Sequence, residues 1–308
     1  MAKSVREKIK EIVHYHLTSL KSLCFGQCLT AVGWVGNTLP ELYEEDGMVE
    51  LTTADVANGG FVVGAALKGL RPIYVVRYQG FQWFNAPIII NYAAKSKEIW
   101  GIPCPLFLRS IAMEGGIGPV AGSSHHSIFF RMPGIKIISP MTPNEYQSAY
   151  EHFLSDDEVY YVSEHRGSYN NEKELEDTYT HNCDIVLFPI SITRFAAEEA
   201  KKELEKNGLI VSIFHQLWIK PFIVKDPWKE CLNSSKYGGL VLDDDYQDGV
   251  SRSIAHQLML ESNKKVFTLG LEDRTAGFHR NVDNLPPNAD QIVEKVKEII
   301  HMESSSEL

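Results

Sequence analysis

The chain has no run of basic residues, and its formal net charge is -10 over 308 residues. Nucleic-acid binders gather Lys and Arg on one face, so a nucleic-acid partner is excluded in favour of a small molecule or another protein. No stretch approaches the roughly 18 to 20 apolar residues that span a bilayer. Residues Met1 to Ser4 lead straight into a charged segment, without an apolar run of signal-peptide type, so a cytoplasmic location and no membrane partner are expected. Cysteine is sparse: there are five, and the near pair Cys24 and Cys28 has no second Cys or His pair at metal spacing. Buried or idle thiols are expected, and no metal is assigned to this chain. No internal repeat, low-complexity tract or Gly-rich phosphate loop is present.

What is present is a regular alternation. Apolar positions from Val5 through Ile9, Ile12, Val13, His16, Leu17 and Leu20 recur at helical spacing and predict an opening amphipathic helix. Strands are predicted at Met48–Leu51, Pro72–Val76, Pro105–Leu108, Ile135–Ile138 and Val159–Val162, with helices at Phe61–Lys68, Ala86–Ile99 and Asn144–Leu154. Such alternation implies an α/β protein with a mostly parallel, doubly wound sheet. The polar segment Gly167–His181 has no apolar period and marks a boundary between a domain at 1–175 and one at 182–302.

Beyond it, strands at Asp184–Pro189, Ile210–Phe214, Gly239–Leu242 and Lys265–Leu269 alternate with helices at Phe195–Lys206, Gly249–Leu260 and Asp290–His301. Two doubly wound domains are therefore expected. The Ser- and Glu-rich tail 303–308 is expected to be disordered.

The segment Leu51–Pro72, LTTADVANGGFVVGAALKGLRP, sets Asp55 at a strand end ahead of a small-residue helix with Gly59, Gly60 and Gly64, closing on Gly69-Leu70-Arg71-Pro72. Downstream come Phe81, Asn91-Tyr92-Ala93-Ala94-Lys95, Gly115-Gly116, Ser124-His125-His126-Ser127, Met132-Pro133-Gly134-Ile135-Lys136 and Glu164-His165-Arg166. In this order they resemble the thiamine diphosphate-dependent transketolase and 2-oxo acid dehydrogenase superfamily, above all the beta subunit of the dehydrogenase first component.

That resemblance implies a pyrimidine-binding domain followed by a transketolase C-terminal domain, the latter also through Asp243-Asp244-Asp245. It implies that Asp55 stands where the family has its catalytic glutamate. Phe81 would pack on the aminopyrimidine with Arg77 also at the cofactor, and His126, with His125 beside it, would face thiazolium and substrate. Arg109 and Arg166 become candidates for binding a substrate anion, and Arg131 another cation of the same kind.

The expected cofactor is thiamine diphosphate with Mg2+, the diphosphate and metal held by an alpha-type partner, since no Gly-Asp-Gly segment with a downstream Asn occurs here. The expected assembly is alpha2beta2, acting on a small 2-oxo acid or ketose substrate. A carboxyl group bonded to the pyrimidine ring nitrogen favours the imino form that deprotonates the thiazolium.

Asp is shorter than Glu by one methylene, about 1.5 Å, and the family's other acidic position holds Gln27. These departures keep two alternatives open: the C-terminal half of a split transketolase-like ketol transferase, though Gly118-Pro119 is not followed by that family's Thr-His, and a catalytically weak structural subunit. Plainer readings also stand, with Asp55 as a helix cap, His125 and His126 as loop residues, Phe81 as core or interface, the arginines as ion pairs, and Asp243–Asp245 as a solvated face or an interface.

Overall fold

The computed structural model describes residues 2–113, 122–276 and 282–305. It divides into two compact units, Met1–Glu174 with Trp218–Lys220, and Leu175–Leu217 with Pro221–Leu308. The Gly115-Gly116 and Gly118-Pro119 motifs lie outside the described residues.

The first unit opens with α1 (Val5–Thr18), whose N-terminus is closed by a reciprocal capping box between Ser4 and Glu7. Then follow β1 (Cys24–Gln27), the short turn α2 (Gly33–Asn37), β2 (Met48–Leu51), α3 (Asp55–Leu67), β3 (Ile73–Val76), α4 (Gln82–Ile88) and α5 (Ala94–Trp100). The unit continues through β4 (Leu106–Ala112), α6 (His126–Phe130), β5 (Ile135–Ile138), α7 (Pro143–Ser155) and β6 (Val159–His165). The second unit contains β7 (Ile185–Pro189), α8 (Thr193–Lys206) and β8 (Val211–Ile213), then, after β9 (Trp218–Lys220), α9 (Asp226–Ser234), β10 (Gly239–Tyr246), α10 (Val250–Ser262), β11 (Val266–Leu271) and α11 (Ala289–Ser305). The last helix thus reaches Ser305, into the segment expected to be disordered.

The first sheet has the order β2-β1-β3-β4-β6-β5-β9, all parallel except β9, which runs antiparallel to β5. The second has the order β11-β10-β7-β8 and is parallel throughout. The α/β class with two mostly parallel sheets agrees with the alternation in the sequence. Among the described residues no helix is long and apolar enough to cross a membrane.

Several sequence blocks prove to be architecture. Gly69 (φ +91°) ends α3 in the left-handed conformation that glycine adopts freely. Arg71, two residues on, donates to the Phe153 and Asp156 carbonyls and pairs with Asp157 at 2.6 Å, pinning the end of α7. Gly134 (φ +72°) passes so close to Ala94 that a Cβ would sit 1.9 Å from its carbonyl oxygen, joining the Pro-Gly and Ala-Ala-Lys blocks by contact.

All five cysteines are free, four of them buried. Burial pushes the Cys24 and Cys104 thiols up to about 12. In the second unit Asp243, Asp244 and Asp245 are buried near the end of β10, not on a solvated face. Ser191 donates to Asp244 at 2.8 Å, and the backbone amides of Asp245 and Tyr246 donate to Asp243 and Asp245.

Candidate active site

In the first unit β2 lies on one side of β1 and β3 on the other, so the strand order reverses between β1 and β3. Such a switch point opens a crevice at the carboxyl ends of the two strands. A cavity lies there, with walls that include Gln27 and Cys28 after β1, Asp55 at the head of α3, and Tyr74, Arg77 and Phe81.

Asp55 is half-buried, and it is the first helical residue of α3; the N-cap is Ala54, which has no side-chain cap. The helix-cap reading of Asp55 is therefore displaced. Its carboxylate accepts instead from Asn85 Nδ2 at 3.4 Å, while Tyr74 Oη donates to Asn85 Oδ1 at 2.9 Å. Burial first, and the Asp55 charge second, push the Tyr74 phenol well above its ordinary value, so it remains a donor. Gln27 Nε2 is buried without a hydrogen-bond partner among the described residues, leaving a donor on the chain that forms this cavity.

Phe81 closes a short 3-10 turn, Gln79–Phe81, that leads into α4. Arg77, just past β3, borders this cavity and a second one that includes Val35, Gly36 and Arg166. Its guanidinium lies 5.3 Å from the Tyr78 ring centroid. Arg166 is exposed, with Nη1 3.5 Å from Met113 Sδ. The wall at Val35 and Gly36 comes from α2, whose residues Gly33 to Asn37 all have positive φ. For Trp34 and Val35 that left-handed conformation carries backbone strain.

His125 and His126 begin α6 and contribute to neither of these two cavities. They are fixed by Gln79, whose Oε1 accepts from the His125 amide at 2.6 Å and from Tyr161 Oη at 2.9 Å. Gln79 Nε2 donates to Ser163 Oγ at 3.0 Å, and that hydroxyl bonds buried His126 Nδ1 at 3.1 Å. His125 meets Trp83 edge-on, with centroids 6.2 Å apart. The segment 77–85 thus carries Arg77 and Phe81 towards one cavity and anchors the histidines through Gln79. Gln79, Asn85, Tyr74 and Ser163 were not singled out by the sequence; a polar Asn amid FQWFNAP was the available signal.

Arg109 lines neither of these cavities. It is fully buried in β4, with Nε and Nη2 on the two Glu164 oxygens at 2.7 and 3.0 Å and Nη2 also on Thr38. Tyr146 and Tyr169 donate to the same carboxylate at 2.6 and 2.8 Å. Burial, the largest single influence, would lower the Arg109 pKa, yet the Glu164 charge and hydrogen bond together with the Tyr146 and Tyr169 phenols outweigh it and hold the guanidinium well above its ordinary value. The guanidinium is thus held in an internal ion pair, buried where the plainer reading expects a surface or interface one, with Nη1 left without a partner among the described residues.

A carboxylate at a helix head, an aromatic ring and a donor without a partner among the described residues thus border one switch-point cavity. Residues 54–172 match the family described as transketolase, pyrimidine binding domain. The chain is 26% identical over 238 residues, 70% of it and 71% of the relative, to 2-oxoisovalerate dehydrogenase subunit beta of Bacillus subtilis (strain 168). It is 24% identical over 302 residues, 90% of it and 92% of the relative, to pyruvate dehydrogenase E1 component subunit beta of Staphylococcus aureus. Its fold is similar to that of a solved "split gene transketolase, inactive beta4 tetramer", with TM-score 0.75 and 14% identity, covering 98% of this chain and 100% of the other.

Proposed function

We propose that this chain is the beta-type subunit of a two-chain thiamine diphosphate-dependent enzyme that decarboxylates a 2-oxo acid and transfers the resulting fragment. The observation that carries this reading is the cavity at the β1/β3 switch point with Asp55 and Phe81 in its walls. The residues fit the cofactor: a half-buried carboxylate suits a ring nitrogen, Phe81 a flat heterocycle, and the unpartnered Gln27 Nε2 an acceptor. Bound there, thiamine diphosphate supplies a thiazolium carbon acid that its own pyrimidine deprotonates.

Asp55 would hold the proton at the pyrimidine ring nitrogen and Phe81 would pack on the ring, with Arg77 beside them in the cavity wall. His126, with its ring oriented by Ser163, and His125 exchange protons with the substrate. Arg166 receives the substrate anion. Diphosphate and Mg2+ are held by an alpha-type partner in an alpha2beta2 assembly.

An outward face on α3 supports that partnership. Gly60 and Gly64 have open space where a Cβ would be, and Val56 and Phe61 beside them are exposed, Phe61 by 67%. Small residues that allow close approach, flanked by apolar ones, suit another helix. The cytoplasm is the proposed compartment, where unpaired thiols such as these five persist.

A second reading, a split ketol transferase acting on a sugar phosphate, is favoured by Arg77 and Arg166 sharing one cavity. Single-turnover assays on 2-oxo acids and ketose phosphates separate the two. In the reconstituted complex Asp55→Ala is expected to lower turnover by at least about 100-fold while assembly persists; unchanged turnover removes the assignment.

A further inference from the structure

We infer that Asn85, oriented by Tyr74, is the positioning residue that fixes the Asp55 carboxylate in its cavity and offsets the reach lost with the missing methylene. This rests on the cofactor reading above.

Asn85 is fully buried on α4, and three contacts define its orientation. Its Nδ2 has two N–H groups: one donates to the Phe81 carbonyl at 3.2 Å, and the other is directed at Asp55 Oδ1 at 3.4 Å. Its Oδ1 accepts from Tyr74 Oη at 2.9 Å, which fixes the amide with its donors towards Asp55 and Phe81. One side chain thereby ties together the acidic and the aromatic member of the proposed site.

Helix α3 makes room for it. A Cβ on Gly59 would lie 3.1 Å from Asn85 Oδ1. A capping role for the Phe81 carbonyl would use only one of the two N–H groups, and would require neither the Tyr74 contact nor the approach to Asp55. The 3.4 Å separation is long, as hydrogen bonds in ligand-free sites often are before the loaded state tightens them. A shorter carboxylate held by a fixed donor keeps the orientation that a longer one gains by reach.

The experiment has a cofactor-free arm and a loaded arm. In the chain alone, the side-chain NH2 resonances of Asn85 are compared by NMR in wild type, Asp55→Ala and Tyr74→Phe; both substitutions are expected to shift them. In the complex with the alpha-type partner, thiamine diphosphate and Mg2+ are titrated by calorimetry, and hydrogen–deuterium exchange at the thiazolium carbon is timed. Asn85→Ala should slow exchange by about 10- to 100-fold while changing the dissociation constant by less than about threefold. In an Asp55→Glu background, where the longer acid no longer depends on the donor, the same substitution should cost less than about threefold.

Tyr74→Phe keeps the buried ring and tests the relay should Asn85→Ala fail to fold; it should slow exchange by about 3- to 10-fold. Cofactor binding with unchanged exchange in these variants, or an equal loss in both backgrounds, overturns the inference alone. A wild-type complex that binds no thiamine diphosphate overturns the cofactor reading and this inference with it.

Discussion

Two buried charged or titratable residues, Arg109 and His16, have consequences that can be measured directly. Removing one partner of a buried, hydrogen-bonded ion pair leaves the other charge uncompensated, at about 3–5 kcal/mol. Arg109→Ala, or Glu164→Ala, is therefore expected to lower stability by that order in denaturant unfolding; a loss below about 1 kcal/mol would return Arg109 to the list of candidate ligands. His16 donates to or accepts from Tyr150 Oη at 2.8 Å, and burial pulls its pKa down from 6.5 to about 4. Between those values the unfolded chain binds the extra proton and the folded chain does not. Stability should therefore fall as pH drops from about 6.5 towards 4, by up to about 3 kcal/mol at roughly 1.4 kcal/mol per pH unit. His16→Gln should flatten this part of the acid-unfolding profile; an unchanged slope contradicts the account.

At the scale of elements, α3 does two jobs on opposite sides. Its buried positions, among them Asn58, Gly59, Val62, Val63 and Ala66, pack inward, and Gly59 admits Asn85. Gly60 and Gly64 face open space without positive φ, so a side chain there is tolerated by the chain itself. Gly60→Leu and Gly64→Leu are expected to leave the melting temperature of the isolated chain unchanged or slightly higher, since Gly in a helix costs about 0.5–1 kcal/mol. Association with the partner subunit, followed by analytical ultracentrifugation, should weaken by at least about tenfold, and unaltered association would remove α3 from the interface.

The elements with strong periodicity were legible: α1, α7, α8 and α11 fall within a few residues of their expected bounds. The strand β1 was not, because Cys24-Phe25-Gly26-Gln27 is short and without alternation, and only pairing with β2 and β3 makes it a strand. The three residues of β9 lie in sequence among the second unit's elements yet pair with β5, and no local pattern encodes that. For α3, the glycines hid six helical residues ahead of Phe61, including Asp55 itself.

For the whole molecule, the succession of blocks in the sequence carried the α/β class and the likeness to 2-oxo acid dehydrogenase beta subunits, and three residues it singled out, Asp55, Phe81 and Arg77, line one cavity. It could not separate chemistry from architecture within the blocks. Arg71 and Gly134 serve packing, Arg109 an internal ion pair, and the Asp243–Asp245 run is a buried strand end where the sequence left a solvated face or an interface open. Nor could it find Gln79 and Asn85, single polar residues whose meaning comes from what the fold sets against them.

The central claim is half of a cofactor site completed by a partner. Calorimetric titration of thiamine diphosphate and Mg2+ into this chain alone, and into its mixture with an alpha-type subunit, tests it most directly. Binding in the mixture is expected to be at least about 100-fold tighter than to the chain alone, a difference of roughly 2.7 kcal/mol. Absence of binding in both would contradict it and leave a structural subunit.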